Sequence, residues 1–405
     1  MRKSLTILSG IIVCALTAVG ATSKTQMSVA DNAESKVSVT VSPVELAKRI
    51  TEARQLLQED STISSDAVRL AAFDSTTGKL TTISLPKDEF LTKDAHLEAT
   101  SSAGDKVRVR IVRANGVNTA VTISDATTDE SLLPLVVQFP IVRAGVTTEV
   151  AYYTSAHPAL LSSELTSDGQ SYIRMMLDRA AADLATRGVT IPADLVDVAE
   201  HLCIVEHTDH KRFLTEDAAE LFPEILSLYA LNRGNTFRYS VSTAGAGGMI
   251  QMIPKTYEAI RQSHPSAALN SDFVSGMRDH SNALKAMLLY MNDTWNRLAD
   301  SSEVQEALHS GVASKAELLA AGYNSNPVRL SRYLKDGGTA WRSLIPAETQ
   351  MYLAIYSEVD RNIKFNAPTD AALLPDNSPS ADFGPAVADA RGTAGFMSWL
   401  IDLFR

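Results

Sequence analysis

Apolar and polar positions along the chain change period twice, and the changes divide it. Ser42-Pro43-Val44-Glu45 reads as a capping box with proline at the first helical position. Val44, Ala47, Ile50 and Ala53 then recur at helical spacing, so a helix is predicted to about Leu57. From Val68 to about Thr154 the period is two. Val107, Val109 and Ile111 alternate with Lys106, Arg108 and Arg110, Asn115-Gly116 offers a hairpin turn, and Val121 and Ile123 resume the alternation. Leu80–Leu85, Leu135–Val142 and Thr147–Tyr153 are further strand candidates. After Ser162 the spacing turns helical and stays so, with segments near 169–187, 192–206, 214–232, 254–263, 280–299, 303–310, 314–321, 328–335 and 346–362. The expected class is α+β: a small antiparallel β domain at 66–160, read as an accessory module, followed by an all-α domain at 163–365.

The ends of the chain read differently. Arg2 and Lys3 precede an apolar run from Leu5 to Val19, and Val19-Gly20-Ala21 supplies small residues for a peptidase. Residues 1–21 are therefore expected to be an export signal, with an uncleaved anchor helix as the alternative. Cys14 lies in a poor lipobox. Residues 22–65 form a polar leader and the first helix. Residues 366–405 are a Pro-, Asp-, Ala- and Gly-rich linker that ends in an apolar tip, Phe396 to Phe404, read as a short helix.

Composition narrows the function. The 405 residues are 45% hydrophobic and 21% charged, a globular balance that excludes a wholly disordered chain. Acidic residues outnumber basic ones, 47 to 37, for a net charge of −10, and cleavage after Ala21 would take this to −12. Such a chain gains nothing from phosphate counterion release, so nucleic acid is not an expected partner. The Lys106/Arg108/Arg110 stripe reads as a solvated strand face. Cleavage would also leave Cys203 as the sole cysteine, so no internal disulfide is expected.

Candidate chemistry begins at the helix near Pro192. Leu195, Val198, Ala199 and Leu202 share one stripe, and Glu206 falls about 20° from Leu195, within it, while Asp197, Glu200 and His201 fall on the polar side. A carboxylate continuing an apolar stripe is desolvated and its pKa should rise, as a general acid near neutral pH requires. The alternative is a glutamate that emerges at the helix end, or one that pairs with a cation such as Lys211 or Arg212. His207 and His210 raise a metal reading, but Glu-His-Thr-Asp-His is not a helical zinc motif, and no metal or other cofactor is expected. Further on, Ser242-Thr243-Ala244-Gly245-Ala246-Gly247-Gly248-Met249-Ile250-Gln251-Met252-Ile253-Pro254 lets backbone pack closely against a ligand or a helix. Ala321-Gly322-Tyr323-Asn324-Ser325-Asn326-Pro327 is a compact turn.

In this order, the segments resemble the motifs of peptidoglycan lytic transglycosylases with the soluble-lytic-transglycosylase, lysozyme-like catalytic domain. That signature is a helix-terminal Glu, then Ser-x-x-Gly-Ala-x-Gly-Leu-Met-Gln-x-Met-Pro, Ala-Tyr-Asn-x-Gly-Pro and Glu-Thr-x-x-Tyr. Here Glu206, Ser242–Pro254, Gly322–Pro327 and Glu348-Thr349-Gln350-Met351-Tyr352 match it, over roughly residues 185 to 365. The resemblance implies an exported, periplasmic or envelope enzyme acting on peptidoglycan glycan strands, with Glu206 as acid and then base. Ser242, Met249 and Gln251 would line one side of the glycan site, and Tyr323, Asn324 and Glu348 the other. Envelope or secretion-apparatus proteins are candidate partners for the β domain or the apolar tip.

Three departures stand out. His207 replaces the usual Ser after the catalytic Glu. Glu206 and Ser242 are 36 positions apart, where the family has little more than a dozen, so a helical insertion is expected beside the groove. Gly322, Asn326 and Gly248-Met249-Ile250-Gln251 alter the motifs internally. The rival readings are a non-catalytic glycan-binding or scaffold protein, and a zinc hydrolase using His207 and His210.

Overall fold

The computed structural model describes residues 42–59 and 64–365. The expected export signal, most of the expected leader, and the expected linker with its apolar tip lie outside the described residues. Helix α1 (Pro43–Glu59) starts where expected, with the Ser42 hydroxyl accepting the Glu45 N–H. Its buried face is Leu46, Ile50, Ala53 and Leu57, whereas Val44 is 75% exposed. The stripe is thus turned from the predicted one, because the bulkier Leu46 and Leu57 extend it by a full turn at each end.

Seven strands follow: β1 (Ala67–Asp74), β2 (Lys79–Pro86), β3 (His96–Thr100), β4 (Lys106–Arg113), β5 (Ala120–Asp125), β6 (Ser131–Arg143) and β7 (Val146–Tyr153). A one-turn helix, α2 (Lys87–Phe90), sits between β2 and β3 and buries Phe90. All pairings are antiparallel, in the order β2-β1-β6-β5-β4-β3, with β7 on β6. A bridge between Ile83 and Ser101 brings β2 back to the end of β3, so the sheet curls almost shut. Alternation explains the interior: Val107, Val109 and Ile111 of β4 point in with Val121, Ile123, Val68, Leu70 and Phe139, while Lys106, Arg108 and Arg110 face out. The β4–β5 connection is longer than a two-residue turn, with a 3₁₀ turn at Gly116–Asn118 and Gly116 at φ 52°.

The helical region comprises α3 (Ser163–Thr186), α4 (Ala193–Val205), α5 (His210–Thr215), α6 (Ala218–Leu231), α7 (Pro254–Ser263), α8 (Phe273–Arg278), α9 (His280–Ala299), α10 (Ser302–His309), α11 (Lys315–Asn324), α12 (Leu330–Gly337) and α13 (Ala347–Asn362). α4 is central, buried on nearly every side from Leu195 to Val205. Glu200 and His201, expected on a polar face, are inside. Arg174 of α3 closes on Glu200 at 2.6 Å, and the Ile363 carbonyl and the Tyr356 ring cover His201.

The β and helical regions share their interior. Leu228 of α6 belongs to the inside of the curled sheet. Leu165, Ala230 and Leu231 pack with α1 and the outer faces of β1 and β6. The Asn232 side chain donates to the Thr154 carbonyl and accepts its N–H, and Arg113 pairs with Glu224 at 2.7 Å. The insertion after Glu206 is therefore not only a flank to a groove: α5 has no buried residue, but α6 is core.

Candidate active site at the end of α4

Glu206 caps the C-terminus of α4, its N–H still donating to the Leu202 carbonyl at 3.0 Å. Helical phase carries it along the buried stripe, and the helix ends before the side chain can swing to the surface. The residue keeps a partial opening to solvent although its carboxyl is enclosed by protein on most sides. The Tyr352 hydroxyl of α13 donates to Glu206 Oε1 at 2.7 Å. Burial pushes the Glu206 pKa up to about 8, the Tyr352 hydrogen bond opposes this by stabilising the carboxylate, and the negative charge of Glu348 adds to the rise. Tyr352, itself buried, is held well above the ordinary phenol value, so it stays a donor. Neither Lys211 nor Arg212 takes Glu206; Arg212 is engaged with Glu216 and Glu224 instead.

The small-residue segment meets this end of α4 at Met249, whose carbonyl takes the His207 ring N–H. Ser242 is exposed in a tight reversal, where its hydroxyl accepts the Ala246 N–H at 3.0 Å. A 3₁₀ turn at Gly248–Ile250 follows. Gly248 is at φ 69°, and a Cβ there would lie 2.3 Å from the Met277 carbonyl oxygen, so only glycine fits. Gln251 is left-handed at φ 44°, with its amide nitrogen donating to the Gly248 carbonyl at 2.8 Å. A non-glycine residue in that region is strained. The Met249 side chain is fully buried in the helical core and offers no surface to a ligand, because the turn directs it inward.

α11 supplies the third side. The Tyr323 hydroxyl donates to the Ile250 carbonyl at 2.7 Å, and its ring meets Tyr290 edge-on. Asn324 Oδ1 accepts the Thr349 hydroxyl at 2.8 Å, tying α11 to the first turn of α13, where Glu348 is exposed. The departures in this motif are local packing: a Cβ on Gly322 would sit 3.1 Å from Thr294 and 3.2 Å from Pro327, and Asn326 caps the short turn after it by accepting the Val328 N–H.

The structure thus gathers α4's end, the 248–251 turn, Tyr323, and the start of α13 around one partly open carboxyl. Tyr352, matched in the sequence as the last residue of the Glu-Thr-x-x-Tyr motif but given no role there, makes the one side-chain hydrogen bond to Glu206 among the described residues. Its i, i+4 spacing from Glu348 within that motif puts both on the same helix face. Phe237, which stacks on His207, gave no signal, since nothing in its sequence context announces φ 54°. Among the described residues, no three His, Cys, Asp or Glu side chains converge as a metal site, and His207 Nε2 is committed to the Met249 carbonyl.

No protein family, curated protein or solved structure matches this chain.

Proposed function

We propose that the chain is a peptidoglycan lytic transglycosylase, with the helical region as its lysozyme-like catalytic part and Glu206 as the single acid–base residue. The observation that carries this reading is a carboxyl raised to about 8, partly open, and aimed by a phenol. At neutral pH such a group holds its proton and can deliver it. It would protonate the oxygen of the β-1,4 bond between N-acetylmuramic acid and N-acetylglucosamine as that bond breaks. The resulting carboxylate would then take the proton of the muramic acid C6 hydroxyl while that oxygen attacks C1. The products are a 1,6-anhydro end and a free GlcNAc hydroxyl, and no water is consumed. One carboxyl closes the cycle, so a hydrolase's second carboxyl is not needed. Glu348, whose negative charge is felt at Glu206, would act on the charge that develops at C1. Gln251, Ser242 and Asn324, each with part of its hydrogen-bonding capacity already used within the protein, would bind sugar through what remains, with Tyr323 holding the turn between them. The substrate lies in the cell envelope, in keeping with the export signal read at residues 1–21.

The test is mass spectrometry of products from purified sacculi. Anhydro-muropeptides are expected from the wild type, with turnover by Glu206→Gln lower by about 10²–10⁴ or more. Reducing ends would mean hydrolysis. Binding without products would mean a glycan-binding protein.

A further inference from the structure

Beside Glu206, His207 is held by contacts that the proton transfers do not use. Its ring lies flat on Phe237, with centroids 3.5 Å apart and planes at 10°, and meets the edge of Tyr229. Its Nε2 is 3.0 Å from the Met249 carbonyl, which only accepts, so that nitrogen carries the proton. Burial pushes the imidazole down to about 3, the Met249 hydrogen bond acting against this, so the ring is neutral at any working pH.

Phe237 is itself clamped in an unfavoured backbone state. The carbonyl just before it, on Thr236, accepts from His280 Nε2 at 2.8 Å, and the Thr236 hydroxyl donates to the Asn232 carbonyl at 2.7 Å. The ring then packs against both the helical core and the interior of the curled sheet. A strained residue so thoroughly held serves as a fixed platform. What His207 holds from that platform is the turn. Met249 and Ile250 offer consecutive carbonyls; His207 takes the first and Tyr323 the second. The turn is thereby pinned from the end of α4 on one side and from α11 on the other.

We propose that His207 is a positioning residue: its Nε2–H fixes the 248–251 turn against the end of α4, and so sets Glu206 relative to Gln251 and Tyr323. This rests on the glycan-cleaving reading and deepens it, assigning His207 neither proton transfer nor metal binding.

The experiment compares His207→Phe, which keeps a flat ring on Phe237 but deletes the donor, with His207→Gln, whose amide can restore an N–H near the same place. Both are made in the full chain. Turnover on sacculi should fall about tenfold in His207→Phe at little changed KM, and recover to within about threefold of wild type in His207→Gln. Amide hydrogen exchange at Gly247, Gly248 and Gln251 should quicken in the first and return towards wild type in the second. A merely structural histidine would lower the melting temperature in both, without rescue. The proposal is overturned if His207→Phe matches wild type in exchange, or if His207→Gln is as impaired as His207→Phe. Should His207→Phe not fold, His207→Met, also without an N–H, takes its place. A wild type that cleaves nothing, while exchange shows loss and rescue, would sink the glycan reading and leave the turn-fixing role standing. Normal cleavage without the exchange pattern would sink this role alone.

Discussion

Replacing Glu206 with glutamine should make the protein more stable, and the gain should grow with pH. In the unfolded chain the carboxyl loses its proton near 4.5; in the folded protein it keeps it to about 8. Between those values the native state binds the extra proton, so stability falls as pH rises through the window and is level outside it. One unit is worth about 1.4 kcal/mol, and most of the interval lies between pH 5 and pH 8. Allowing for the partial solvent opening beside the carboxyl, the wild type should lose about 3 kcal/mol across that range through this group. Glu206→Gln removes the titration while keeping an oxygen to accept the Tyr352 hydroxyl.

The assay is urea unfolding of both proteins at pH 5 and pH 8, followed by tryptophan fluorescence, with fully buried Trp341 as a reporter. Every other titrating group is common to the two, so the difference between them isolates Glu206. Near pH 5 the variant should be within about 1 kcal/mol of wild type, and at pH 8 it should lead by about 3 kcal/mol. An advantage equal at the two pH values would refute the desolvated carboxyl, whether or not the protein cleaves glycans.

Tyr352→Phe removes the hydrogen bond that favours the carboxylate, so the Glu206 pKa should rise further and the alkaline limb of the pH–rate profile should move to higher pH; an unchanged or lowered limb would refute the contact. Gly169→Ala would place a Cβ 2.0 Å from the Leu226 carbonyl oxygen at the α3–α6 crossing, and should cost at least about 2 kcal/mol in urea unfolding. A chain beginning near Ser163 would uncover Leu165, Leu228, Ala230 and Leu231 and leave Asn232 without Thr154, so it should be insoluble or fail to unfold cooperatively; a soluble, cooperative fragment would support a separable accessory module.

Periodicity made much of the fold legible. The alternation at 107–111 and 121–123 is the register Val109↔Ile123 and Ile111↔Val121. Helices α9 and α13 lie within a residue of their predicted places, because each carries a wide apolar stripe, whereas α3 starts earlier than predicted, at the Ser162 cap. What local pattern could not give was closure. β3 has only half-buried inward residues, and its role depends on Ser101 reaching Ile83, a contact between distant segments. Burial of Glu200 was equally hidden, since it depends on Arg174 from another helix. At the candidate site, the phase of Glu206 on α4 was readable from sequence. Tyr352 was matched only as part of a motif, and its hydrogen bond to that carboxyl was not readable, nor was the inward turn of Met249.

The insertion between Glu206 and Ser242 ties the candidate site to the sheet through packing. Nine of the fourteen residues of α6 are buried, a helix apolar nearly all round, which belongs inside a protein and not along the rim of a groove. One side meets α3 at Gly169, where a side chain would collide with the Leu226 carbonyl, and Leu228 enters the curled sheet. The chain leaving α6 then delivers Phe237 to His207, next to Glu206. Glu149 of β7 accepts the Tyr239 hydroxyl and pairs with Arg238 and Arg278, so the sheet also grips the segment leading to Ser242. The β region therefore reaches the candidate carboxyl through the length that sets this chain apart from the motif spacing it resembles. A substitution such as Glu149→Gln, made in the sheet, should consequently quicken amide exchange in the 248–251 turn more than one at an exposed position of α5, such as Leu214.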